Sequence, residues 1–116
     1  MQYMLLIYSA ESAEPAPGTP EFEAMMGGYY AFTEKVKSDG VMVAGDALEK
    51  VSTATTVRVR NDNTETTDGP FAETREVLGG YYLLDCKDLD EAIQYASQIP
   101  SAKHGSIEIR PVMLFD

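Results

Sequence analysis

The chain is predicted to fold as one α+β domain, and three observations carry that expectation. Strand-length apolar or alternating runs are interleaved with two segments of helical spacing. Their order is β-α-β, an inserted hairpin, then β-α-β. With 116 residues, 44% of them hydrophobic, the chain fills one core and leaves no room for a second.

Tyr3–Tyr8 is an unbroken apolar run of strand length. Ser9–Thr19, rich in Glu, Pro, Ala and Gly, reads as an exposed loop. Thr19-Pro20-Glu21 then starts a helix: a capping hydroxyl, proline at the first helical position, and an acid in the first turn. Phe22, Met25, Met26, Tyr29, Phe32 and Val36 form its apolar face, and Gly40 ends it. Gly27-Gly28 interrupts that helix, either to let another backbone pack closely or to mark a kink.

Val41–Ala44 reads as the second strand. Thr55–Arg60 alternates and pairs with Thr64–Thr67 across an Asn61-Asp62-Asn63 turn. Leu78–Cys86 is a further strand, opened by Gly79-Gly80. Asp88 and Glu91 resemble a capping box, and Leu89, Ala92, Ile93, Ala96 and Ile99 supply a buried stripe that Pro100 stops. Ser106–Arg110 alternates, and Val112–Phe115 is apolar. This is the split β-α-β order of a ferredoxin-like fold, an antiparallel sheet with two helices on one face.

In a strand, successive side chains point to opposite faces. Tyr3–Tyr8, Tyr81–Leu84 and Val112–Phe115 are apolar on both, yet two helices cover only one face. A homodimer with its sheets face to face, enclosing a shared barrel-like core, is therefore expected.

Nineteen acids against nine Lys and Arg give a net charge of −10. Such a surface repels nucleic acid and anionic membranes, whereas a protein with a basic patch would suit it. One cysteine, Cys86, excludes an intrachain disulfide and reads as a small buried hydrophobe. No basic leader segment and no apolar run of about 20 residues is present, so the cytoplasm is the expected location.

Asp68-Gly69-Pro70 reads first as a turn, with glycine supplying unusual dihedrals and proline fixing φ. The same turn would aim Asp68, Glu73 or Glu76 into a pocket. Glu73 and Glu76 fall on opposite faces of an extended segment and do not converge. A histidine suits proton transfer near neutral pH, so an acid–base pair of His104 with Asp68 or Glu73 is the catalytic candidate, against a plain loop histidine. Tyr8, Tyr29, Tyr30, Tyr81 and Tyr82 read as amphipathic packing, and some of them, Tyr8, Tyr81 and Tyr82 foremost, suit a ligand pocket. Arg110 would receive an anionic ligand or pair with Glu73, Glu76 or Glu108. No phosphate loop, nucleophile elbow, zinc spacing or calcium loop is present, and no cofactor or metal is expected.

Asp68-Gly69-Pro70-Phe71-Ala72-Glu73-Thr74-Arg75-Glu76, Leu78-Gly79-Gly80-Tyr81-Tyr82 and His104-Gly105-Ser106-Ile107-Glu108-Ile109-Arg110-Pro111-Val112 carry a further signal. Together with the opening Tyr3-Met4-Leu5-Leu6-Ile7-Tyr8, they make the whole chain resemble the YCII-related family, in its DGPF-domain branch. The resemblance implies a ferredoxin-like fold, a dimeric α/β-barrel assembly, and an association with sigma factors of the extracytoplasmic-function type. Family members outside this branch pair a histidine near the first helix with an aspartate. His104 is the only histidine here, so that dyad does not carry over.

Two functions follow. One is a small-molecule-binding or regulatory module beside the transcription machinery, without catalysis. The other is a cofactor-independent enzyme performing isomerase- or lyase-like proton transfer on a small polar or aromatic compound.

Overall fold

A computed structural model describes residues 1–115. Its eight regular elements are β1 (Gln2–Ser9), α1 (Pro20–Ser38), β2 (Met42–Ala47), β3 (Thr55–Arg60), β4 (Asn63–Asp68), β5 (Val77–Asp85), α2 (Leu89–Ala96) and β6 (Ser106–Pro111). Short 3-10 turns occupy Glu11–Ala13, Val51–Thr53 and Pro100–Lys103. The result is an α+β fold: a four-stranded antiparallel sheet in the order β2-β5-β1-β6, two helices, and a separate β3–β4 hairpin. Each β-α-β unit is split by a strand of the other. No helix among the described residues is long and apolar enough to cross a membrane.

The ends of α1 form as its sequence dictates. Thr19 Oγ1 accepts from the Phe22 N–H, and Pro20 takes the first helical position, where no donor is needed. At the other end, Gly40 adopts φ +74° while its N–H and that of Val41 return to the carbonyls of Lys37 and Val36. That is a Schellman closure. Of the glycine pair, Gly28 allows a close approach: a Cβ there would lie 3.0 Å from Pro100 Cγ.

Strand alternation sorts the sheet into two faces. Tyr3, Leu5 and Ile7 of β1 and Tyr82 and Leu84 of β5 point under the helices, where they meet Phe32, Val36, Ala92, Ala96 and Ile99. The ring of Phe32 stands edge-on to Tyr82, at 4.9 Å between centroids. The opposite face carries Met4, Leu6 and Tyr8 beside Tyr81 and Leu83, all half-buried, on the side away from the two helices. Register places Glu108 and Arg110 beside Leu6 and Met4, giving that face a charged rim.

Three sequence expectations are corrected. The α2 stripe is only partly buried: Ala92, Ala96 and Ile99 are, but Leu89 and Ile93 are each 48% exposed. The helix stops at Ala96, so Ile99 reaches the core from the turn that follows. Val112–Phe115 is not a strand. The Val112 N–H donates to the Gln2 carbonyl, and then Met113, Leu114 and Phe115 lie exposed.

Candidate functional site

The two halves of α1 meet the sheet differently. Phe32 and Val36 are buried, whereas Phe22, Met25 and Tyr29 are half-buried and Met26 is exposed. Beneath that N-terminal half lies a cleft of about 390 Å³. Its walls include Ile7, Phe22, Met25, Met26, Met42 and Leu48. Glycines 45, 79 and 80 border it and leave room where side chains would stand.

The local backbone explains why those positions are glycine. The β1–β5 register runs Ile7↔Gly80 and then Tyr8↔Leu78, so Gly79 is the extra residue of a bulge. A Cβ on Gly80 would sit 2.8 Å from the Asp46 carbonyl oxygen, which leaves no room for alanine without backbone movement. The Gly79-Gly80 pair read from the sequence is thus a bulge and a close strand approach at the bottom of the cleft.

Polar groups enter the cleft in fixed pairs. The hydroxyls of Thr33 and Tyr82 are hydrogen-bonded at 2.7 Å, and those of Tyr29 and Ser101 at 2.5 Å. Ser9, itself buried, donates to Glu14 Oε1 at 2.9 Å and so fixes that carboxylate at the rim. Burial pushes the Tyr29 hydroxyl above its ordinary pKa, against the lowering effect of the Ser101 hydrogen bond. The nearby Tyr82 and Glu14 add to the rise. Asp46 and Tyr81 border the outer edge, where alternation turns their side chains to the open face, and there Tyr81 donates to Asp46 Oδ2 at 2.7 Å.

The structure separates the residues singled out from the sequence. Tyr82 contributes to the cleft from the covered face. Tyr8 and Arg110 belong to the open face, and Arg110 has no ion-pair partner among the described residues. His104 is exposed after the Pro100–Lys103 turn, and no hydrogen bond joins its ring to Asp68 or Glu73. Asp68 is exposed at the end of β4. Its neighbour Gly69 adopts φ +102°, its N–H reaching the Ala54 carbonyl while its carbonyl accepts from Thr56 Oγ1. The turn role of Asp68-Gly69-Pro70 is therefore visible in the backbone. Glu73 borders a second, more polar hollow with Glu11, Ser52, Thr74 and Arg75. The carboxylate tied to the segment after His104 is that of Glu76, which accepts from Ser106 Oγ at 2.8 Å.

Sequence reasoning missed Glu14, Ser9 and Ser101, and took Met25 and Met26 as core. Glu14 lies in a loop whose composition signals only exposure. Its role comes from Ser9, which alternation alone places on the buried face. Cys86 is buried as expected, and burial raises its thiol pKa. No group of metal-ligating side chains is present among the described residues.

The chain is 38% identical to an uncharacterized protein of Rhizobium meliloti (strain 1021), over 99% of its own length and 94% of the relative's. The model of the YCII-related domain matches residues 1–116, end to end. The chain belongs to the YCII-related family.

Proposed function

We propose that the protein is a small-molecule-binding module that acts as a homodimer of ferredoxin-like subunits, with the cleft beneath α1 as its ligand site. The observation that carries this is the cleft itself. At about 390 Å³ it falls within the roughly 300–1,000 Å³ of ligand pockets. Its walls are mostly apolar, and its few polar side chains are held in hydrogen bonds, which is how such sites combine affinity with orientation.

The ferredoxin-like reading draws support from the β2-β5-β1-β6 order with both helices over one face. The dimer draws support from the other face, whose apolar centre and charged rim resemble the anatomy of an interface. Two such faces packed together would form the barrel-like core. A ligand-responsive dimer fits a regulatory role inside the cell, exercised through protein contacts, because a net charge of −10 repels nucleic acid. The acid–base reading has less support, since His104 is exposed and borders neither hollow.

The methionines provide the test. Met25, Met26 and Met42 line the cleft, while Met1, Met4 and Met113 lie outside it. In methyl-labelled protein, naphthylmethanol is expected to shift the first three signals in a saturable way. Saturable shifts confined to Met1, Met4 or Met113, or no shifts at all, would refute the assignment of the site.

A further inference from the structure

We infer that the cleft takes an aromatic or alkyl ammonium ion, a hydrophobic cation, in preference to a carboxylate or phosphate of the same size. This rests on the ligand-site reading above and adds the ligand's charge to it. Among the described residues, no Lys, Arg or His borders the cleft. An anion entering there would shed water without gaining a cationic partner, and it would face the Glu14 carboxylate. The N-terminal turn of α1, whose dipole favours anions, carries Glu21 and Glu23 to offset it.

A hydrophobic ammonium finds a partner in each part of the site. Ser9 holds Glu14 through Oε1, leaving Oε2 without a hydrogen-bond partner among the described residues. No basic residue among them pairs with Glu14. An ammonium at the rim would therefore make a charge-assisted bond that costs no existing ion pair. Phe22, Tyr29 and Tyr82 bring aromatic rings to the lining, and the face of such a ring attracts cations and repels anions. The thioethers of Met25, Met26 and Met42 are polarizable and unbranched, and they mould to an apolar body of variable shape. The acid alone would not define a site. It sets the charge preference of a cavity that geometry defines independently.

Three probes on one ring system test the charge: naphthylmethylamine, naphthylmethanol and naphthoate, each titrated into the full-length protein at low salt while the methionine methyl signals are followed. The amine is expected to bind about tenfold more tightly than naphthoate, with the alcohol between them. Glu14→Gln should remove most of that preference. Glu65→Gln, which deletes the same charge from the exposed hairpin, should leave the preference intact. Equal or tighter binding of naphthoate overturns the inference while the ligand site stands. Equal loss in the Glu14 and Glu65 variants also overturns it, because the preference would then belong to the field of the whole acidic chain. If none of the three probes moves the Met25, Met26 and Met42 signals, the ligand site itself falls, and this inference with it.

Discussion

Tyr95 and Asp39 show how one exposed hydrogen bond shifts two ionisations in opposite directions. Tyr95 donates to Asp39 Oδ2 at 2.7 Å, and the Lys35 ammonium lies 3.4 Å from the same carboxylate oxygen. The bond from Tyr95, followed by that from Lys35, holds the Asp39 carboxyl below its ordinary value. In return it pushes the Tyr95 phenol up to about 12. The phenol's contribution to stability is complete below its ordinary ionisation at 10.0 and is lost as pH rises through about 12. For Asp39 the contribution is complete above the ordinary carboxylate value of 3.8 and disappears as pH falls through the lowered one. Subtracting the alkaline ultraviolet titration of Tyr95→Phe from that of the wild type should leave one phenol with a midpoint near 12. A midpoint near 10 would show that the bond does not form in solution.

Among the elements, legibility followed how local each signal is. The β3–β4 hairpin was legible because a turn needs specific residues: Asn61 and Asp62 both adopt positive φ, as the two-residue connection between these strands requires. The cap of α1 was legible for the same reason. Helix faces were less so, because periodicity says which residues can face a core and not whether a core lies against them. Leu89 and Ile93 keep the period and remain exposed, while Met25 and Tyr29 keep it and border a cleft. The second face of β1 and β5 was read correctly as apolar and uncovered, because alternation depends on local sequence alone.

The hairpin also differs from the main sheet in its support. Every residue of β4 is exposed, Val57 and Val59 are 59% and 58% exposed, and the two strands pair only with each other. A two-stranded ribbon of this kind is marginal by itself in water. Its amide protons are therefore expected to exchange roughly a hundredfold or more faster than those of β1 and β5. Equal protection in the two sheets would mean that something covers the hairpin in solution.

For the molecule as a whole, the proposed dimer rests on the second face of the sheet. Leu6 lies in its middle, between Tyr81 on β5 and Glu108 on β6. Sedimentation at micromolar concentration should give twice the mass of the chain, and Leu6→Arg should halve it without loss of the circular dichroism of the fold. A wild-type protein that sediments as a single chain would end the dimer proposal.

The consecutive tyrosines of β5 join these two regions of the molecule. Tyr82 looks into the cleft, and Tyr81 looks out of the opposite face one residue away. If the proposed cleft takes a guest, an adjustment of that strand would reach the side where a second subunit would rest. The two association equilibria would then be reciprocal, each partner altering the other's affinity by the same factor.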